Sequence, residues 1–361
     1  MRLLPGQVRA AWRRRVRRRL GRLLEVLARG RRLLVMTHDN PDPDSIASAL
    51  ALQKLARERA GIDAVVGHGG IVGRGENRAM LDSLSIGLVH KVDIDWKAFD
   101  LFALVDTQPQ TGNNSLPAEV HADVVVDHHP IRAPTRSVAF HDVRRSYGAT
   151  STILAEYLLA AKIVIDPSLA TALFYAIKSE TQSLGRESSV ADKRVYMRLF
   201  PLIDSDCLWR IEHSPLAPSY FTMLVDAIRG TRVHGDLAVG GLGHVAVPDM
   251  IPEFADLIMR LRGIRWAFCF GQFRGDLYLS LRTSDRAADA GTLIQRIVGA
   301  DGRAGGHGMI AGGKIPGTSF AECGRLEMEA QLCRRLLEFL CNPDSTGVVL
   351  TEMDRPPADA L

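Results

Sequence analysis

Several common features are missing from this chain, and each absence excludes a class. Its five cysteines, Cys207, Cys269, Cys323, Cys333 and Cys341, are odd in number, scattered, and form no C-x-x-C pair. That argues against a disulfide framework or a zinc ribbon and predicts buried or free thiols in a reducing cytoplasm. No apolar run approaches the ~18 residues of a spanning helix, and the N-terminus lacks the apolar core and cleavage site of a secretory signal, so no membrane is expected. No Ser/His/Asp constellation stands out. Lysine is absent from residues 1–34, where twelve arginines face one acid, Glu25. The formal net charge of +4 therefore belongs to one arm. The rest of the chain is net acidic.

What is present is ordinary for a globular protein. The 46% hydrophobic and 24% charged content suits large buried cores, and 361 residues suffice for two domains. In the arm, Trp12, Val16, Leu20, Leu23, Leu24 and Leu27 recur at helical spacing, with Arg13 to Arg15 and Arg17 to Arg19 spread around the polar side. Two readings follow: an electrostatic contact with nucleic acid or another polyanion, or a solvated lead-in helix that docks on the domain. Scarce serine disfavours an organelle transit peptide.

The most informative stretch is Thr37 to Ser45, Thr-His-Asp-Asn-Pro-Asp-Pro-Asp-Ser. It lies between the apolar run Leu33 to Met36 and the alanine- and leucine-rich segment Ile46 to Leu55, which predicts strand, tight polar loop and helix. His38, Asp42 and Asp44 offer one imidazole and two carboxylates to a metal, and Pro41 and Pro43 restrain the loop. An acidic turn with Asp44 or Ser45 as N-cap is the plainer alternative. Two further apolar runs end alike. Leu101 to Val105 runs into Asp106, and Val124 to Val126 into Asp127-His128-His129. Three buried strands delivering acids and imidazoles at one end is how an open parallel sheet gathers distant residues into a site.

Helices are expected over Glu76 to Leu84, Ala149 to Ala161 and Ser168 to Lys178, the last running into Glu180. Residues 188–231 read as a largely helical connector. A second unit has strand-like runs at Leu237 to Val247, Trp266 to Phe270 and Leu277 to Leu281, and helices at Pro252 to Leu261, Ala290 to Val298 and Arg325 to Phe339. Within it, Ala304-Gly305-Gly306-His307-Gly308 combines backbone that can approach an anion with an imidazole; a flexible hairpin is the alternative. The tail from Asn342 is expected to fray.

Taken in order, these blocks resemble the DHH-family phosphoesterases from about Leu33 to Pro316. The blocks are His38 to Ser45, Val105-Asp106-Thr107, Asp127-His128-His129, the stretch around Glu180, and a C-terminal Gly305-Gly306-His307 with upstream Ser280-Leu281-Arg282. The resemblance implies an α/β fold: a parallel-sheet metal-binding domain over 33–190, a helical connector over 191–232 and a smaller α/β substrate-binding domain over 233–345, with the active site in the cleft between them. The basic helix of 1–32 and a tail of 346–361 flank these. Within the family, the arrangement is most similar to the RecJ-like group of short-oligoribonucleotide exonucleases and pAp phosphatases.

The resemblance also implies roles. His38 and Asp42 would bind one divalent metal, Asp44 and His128 a second, and Asp106 would bridge them, with Glu180 adding to the set. Mn²⁺ suits this ligation best, with Zn²⁺, Fe²⁺ or Co²⁺ chemically allowed. Two such ions activate water and hold the phosphate, so no Ser or Cys nucleophile is needed. His129 would contact the phosphate or donate a proton to the leaving group, and Asp127 would orient an imidazole. Arg282, Gly305, Gly306 and His307 would grip the phosphate. Glu180 departs from the family's usual Asp, and Ala304 and Gly312 from its usual Gly and Ala. The expected activity is hydrolysis of short oligoribonucleotides to mononucleotides, with pAp as a further nucleotide substrate. Hydrolysis of linear or cyclic dinucleotides, and a nucleotide-binding regulatory protein disabled at Glu180, are the alternatives. A homodimer is implied by the family alone.

Overall fold

The structure, a computed structural model, describes residues 6–185, 187–340 and 346–353. Residues 1–5 of the expected arm, Cys341 and residues 354–361 of the expected tail lie outside the described residues, as does the side chain of His307. The chain divides into two compact units, Met1–Ser214 and Pro215–Leu361.

The first unit is built on a six-stranded, wholly parallel sheet. Its strands are β1 (Arg32–Met36), β2 (Asp63–His68), β3 (Val89–His90), β4 (Leu101–Val105), β5 (Val124–Asp127) and β6 (Phe140–Val143), in the order β3-β2-β1-β4-β5-β6. Near-continuous apolar runs such as Leu33 to Met36 fit strands covered on both faces. Leu33, Val35, Val105, Val124 and Val126 face one core, while Leu34, Met36, Leu104 and Val125 face another. Onto the first core pack the helices α2 (Pro43–Leu55), α4 (Thr150–Ala160) and α5 (Pro167–Glu180), with α3 (Gly75–Ser83) following β2. The order reverses between β1 and β4, so the loops after these strands border the switch point where open α/β sheets place ligands.

Of the two readings of the arm, α1 (Gly6–Leu27) takes docking. Val16, Leu23 and Leu27 are buried in the first core, and α1 lies on α4. Trp12 Nε1 donates to Glu156 Oε1 at 3.1 Å, and Arg19 pairs with Asp142. Glu156 and Asp142 are fully buried, and Arg144 joins them, with 2.6 Å contacts to each.

The stretch expected as a connector is shared between the units. The helices α6 (Val190–Leu199) and α7 (Ser205–Glu212) belong to the first, and α8 (Pro218–Gly230) to the second. The second unit has a mixed seven-stranded sheet: β7 (Arg232–His234), β8 (Leu237–His244), β9 (Trp266–Phe273), β10 (Asp276–Thr283), β11 (Arg303–His307), β12 (Ile310–Ile315) and β13 (Val348–Val349), in the order β11-β12-β10-β9-β8-β7-β13. Only β8 and β9 run parallel. The helices α9 (Met250–Ile258), α10 (Ala290–Val298) and α11 (Arg325–Leu340) complete it. The tail is corrected in part: Val348 and Val349 pair with Val233 and Arg232, and Leu350 N–H donates to Thr231 O at 2.9 Å, so these residues add an edge strand. Among the described residues, no helix is long and apolar enough to cross a membrane.

Candidate metal centre

The loop after β1 is shaped by its own sequence. Asp42 is the N-cap of α2: Ser45 N–H donates to Asp42 Oδ1 at 3.0 Å, Asp42 N–H donates to Ser45 Oγ at 3.1 Å, and Pro43 starts the helix. The expected cap at Asp44 or Ser45 is thus moved to Asp42, with Ser45 as its reciprocal partner. The same Oδ1 lies 3.5 Å from His38 Nε2. Burial alone would raise the Asp42 pKa, but the His38 charge and hydrogen bond, the Ser45 N–H and Arg74 outweigh it and hold the carboxyl low.

Asp106 sits between two groups of potential ligands. Its Oδ2 lies 3.7 Å from His38 Nε2, and its Oδ1 lies 3.6 Å from His128 Nε2 and 3.7 Å from His129 Nδ1. Two clusters could therefore each hold a cation, His38–Asp42–Asp106 and Asp106–His128–His129, with Asp106 common to both. The Asp106 backbone has φ +58°, a left-handed conformation that Asp, Asn and Gly adopt at modest cost. Burial first, then the charges of Asp44 and Asp42, push its pKa well above the usual carboxylate range.

Asp44 also serves a neighbouring helix. Its carboxylate accepts the N–H of Thr150 (2.7 Å) and of Ser151 (2.8 Å), the opening of α4, whose own N-cap Ala149 has no side chain to offer. Asp44 Oδ2 also lies 4.0 Å from His128 Nε2, though Asp44 is not a member of either cluster. Burial, then the charges of Glu180 and Asp42, raise its pKa to about 7. Glu180, the last residue of α5, is likewise outside the clusters, although its charge reaches Asp44, Asp106, His128 and His129.

The two histidines are held by different partners. The His128 Nδ1 faces Tyr147 O at 3.2 Å, and burial and the neighbouring His129 lower its pKa. A neutral ring donating from Nδ1 leaves a lone pair on Nε2. That Nε2 is buried with no hydrogen-bond partner, facing Asp106 and Asp44. An orphaned acceptor of this kind costs free energy unless something binds it, and a cation between His128 and two carboxylates fits. His129 Nδ1 lies 2.9 Å from Asp127 Oδ1; burial would lower its pKa, but the hydrogen bond and charge of Asp127 raise it to about 9. Asp127 also accepts the backbone N–H of His128 and His129, at 2.7 and 3.1 Å, and fixes this corner.

Residues 32–177 match the DHH family, N-terminal domain. This segment is a DHH-family domain. An uncharacterized protein of Methanocaldococcus jannaschii is 36% identical over 286 residues, 79% of this chain and 58% of that protein, so the chain spans little more than half its length. An exopolyphosphatase-related protein from Bacteroides fragilis shares the fold at TM-score 0.69 and 14% identity, over 89% of this chain and 96% of that one. So does the DHH domain of a member of a family of ribosomal proteins, at TM-score 0.50 and 14% identity, over 92% and 93% of the two chains.

Residues of the DHH domain that the motifs did not flag complete the site. Gln108 is buried and donates to Asp127 Oδ2 (2.5 Å) and Pro130 O (3.1 Å), while its Oε1 accepts from Arg132 N–H and Thr135 Oγ1, both at 2.8 Å. Thr150 Oγ1 donates to Asp106 Oδ1 at 2.8 Å. The signal for Gln108 was its place just after Val105-Asp106-Thr107; nothing local marked Thr150.

The second unit carries the residues expected to grip phosphate. Arg282 is buried and donates to Asp256 Oδ1 (2.8 Å) and to the carbonyls of Leu281 and Ala311 (3.3 Å each). The Gly305-Gly306 stretch is not an open loop. It pairs with Gly312 and Ala311 as a hairpin strand, and a Cβ at Gly306 would meet Ile310 O at 2.3 Å. Gly306 therefore serves close backbone approach.

Proposed function

We propose that the chain is a metal-dependent phosphoesterase that hydrolyses short oligoribonucleotides to mononucleotides. The observation that carries this reading is the shared carboxylate of Asp106, one oxygen toward His38 and the other toward the orphaned Nε2 of His128. His38 and Asp42 would hold one cation, Asp44 and His128 the other, and Asp106 both, with Glu180 close enough for its charge to act on the set; Mn²⁺ suits the mixed imidazole and carboxylate donors. Such a pair of cations supplies Lewis acidity for the phosphoryl group and an acidified water.

The chain's own residues supply the rest. Asp127 and Gln108 fix the His129 ring, and its charged form is the proton donor within reach of a leaving oxygen. The second unit would hold substrate through Arg282, Gly305, Gly306 and His307, with Asp256 setting the Arg282 guanidinium. Removal of the 3′-phosphate of pAp would use the same centre.

The test offers a dinucleotide, a five-residue RNA, pAp and a cyclic dinucleotide to metal-stripped protein with Mn²⁺ restored. Cleavage of the short linear RNAs to mononucleotides, lost with EDTA, is expected. No turnover of any of them with metal bound would sink the reading. Activity appearing only in Glu180→Asp would favour a regulatory protein.

A further inference from the structure

On the half of α4 remote from Thr150, the helices α1 and α6 enclose a cavity of about 240 Å³. Its floor is apolar, with Val16 and Val195 buried and Trp12 partly so. Its rim carries Arg13 and Arg17 from α1, Arg194 and Arg198 from α6, and Lys162 just past α4. None of these five cations forms an ion pair with a described residue. The one acid on the wall, Glu156, is hydrogen-bonded by Trp12, Arg144 and Tyr147, and of the five rim cations Arg194 also acts on its charge.

The arrangement opposes the stability of its own helices. Arg13 and Arg17, and likewise Arg194 and Arg198, are like charges four residues apart, the spacing at which they repel on a helix, and both pairs line one cavity. A solvated basic face accounts for arginines that point away from the domain. It does not account for two helices that bring such pairs to the rim of one cavity. Nor does Lys162 serve as a helix cap, because Arg59 already donates to Ala161 O (3.0 Å) and Lys162 O (3.3 Å). Lys162 holds φ +56°, the position after a helix where glycine is usual.

A concave surface with this field concentrates anions, and arginine forks match phosphate oxygens. Five cations exceed what one carboxylate would need. The Arg194 guanidinium lies over the Trp12 ring, 4.5 Å from its centroid, and gives the wall a flat surface against which a planar ring can rest. The volume lies below the ~300 Å³ at which small-molecule pockets begin, so the cavity encloses only part of a ligand, and the exposed rim of Arg13, Arg17, Arg198 and Lys162 holds the rest. We infer that this cavity binds a nucleoside diphosphate, with its phosphates among the four arginines and Lys162 and its base on the Arg194–Trp12 wall. The site is separate from the metal centre and does not depend on the phosphoesterase reading.

Isothermal titration of ADP into the full-length protein in EDTA tests it without any turnover. One ADP per chain is expected, weakening steeply as salt rises. Arg194→Gln/Arg198→Gln and Arg13→Gln/Arg17→Gln should each weaken binding at least tenfold, while His129→Asn at the metal centre leaves it unchanged. Pyrophosphate should bind more weakly than ADP, and adenosine not at all. Should a double variant fail to fold, Arg198→Gln alone, at an exposed position, should still weaken binding severalfold. Absence of ADP binding, binding that the arginine variants leave within twofold, loss with His129→Asn, or adenosine binding as tightly as ADP would each overturn the inference.

Discussion

Asp106 decides how the metal centre can be probed. Its φ of +58° disfavours alanine, whereas asparagine tolerates that conformation and its Oδ1 can still accept from Thr150 Oγ1. Asp106→Asn should therefore keep the fold. Because Asp106 shares its surroundings with Asp42, Asp44 and Glu180, removing one charge should raise the melting temperature of metal-stripped protein by a few degrees while abolishing the upward shift given by Mn²⁺. A lower melting point without metal, or an undiminished Mn²⁺ shift, would show that the carboxylate is not the shared ligand. Thiols report on the opposite unit: burial pushes Cys269 up to about 12, and burial with the charge of Glu329 pushes Cys333 to about 12. Native N-ethylmaleimide at neutral pH should therefore label exposed Cys323 far ahead of Cys269, read by peptide mapping; equal rates would refute that burial. Asp106, Asp127, His128 and His129 were legible because apolar runs break on them. Gln108 and Thr150 were not, since their value lies in hydrogen bonds to residues 19 and 44 positions away.

Elements that the sequence marked most clearly carry their own start signals. α5 opens with Asp166 as N-cap and Pro167 as its first residue, and Leu169 N–H donates to Asp166 Oδ1 at 3.0 Å. Burial would raise this carboxyl, but the Leu169 N–H and Lys54 lower it. A depressed carboxyl contributes stability above its unfolded pKa, and that contribution is lost as pH falls through the folded value. Asp166→Ala should thus cost about 1 kcal/mol at neutral pH, with the deficit shrinking below about pH 4; Asp166→Asn should cost much less, since the cap survives and a half-exposed pair with Lys54 adds little. Urea titrations at several pH values give both numbers, and a deficit constant with pH would exclude the ionised cap. Other elements were hidden. β6 carries Asp142 inward, paired with Arg19 and Arg144 and hydrogen-bonded by Tyr157, which spoils an apolar pattern; β11 is strand despite Gly305 and Gly306, which pair with Gly312 and Ala311 of β12. α1 was legible as a helix, and its docking on the domain was one of the two readings open to it; how deeply Val16, Leu23 and Leu27 enter the core was not. Deleting residues 1–22 removes buried Val16 and Leu20, each worth roughly 1.5–3 kcal/mol, so a marked fall in melting temperature is expected where a loose arm would give none.

The two units divide the labour in a way the sequence anticipated only in outline. Every candidate ligand, from His38 to Glu180, lies in Met1–Ser214, together with a hydrophobic core of its own. Pro215–Leu361 has a separate sheet and two cores that draw no buried residue from the first unit. The boundary falls between α7 and α8, in a segment with no helix or strand, which is where a protease finds backbone that it can bend. Limited proteolysis of the full chain should cut near residues 213–217 and release two resistant fragments. Residues 1–214 expressed alone should melt cooperatively and keep the Mn²⁺-induced rise in melting temperature, since neither the core nor the clusters extend past Ser214. If the second unit supplies the substrate contacts, this fragment should bind metal yet lose hydrolysis of short RNAs by a hundredfold or more. A fragment that hydrolyses as well as the whole chain would move those contacts into the DHH domain, and one that neither folds nor responds to Mn²⁺ would show that the units are not independent.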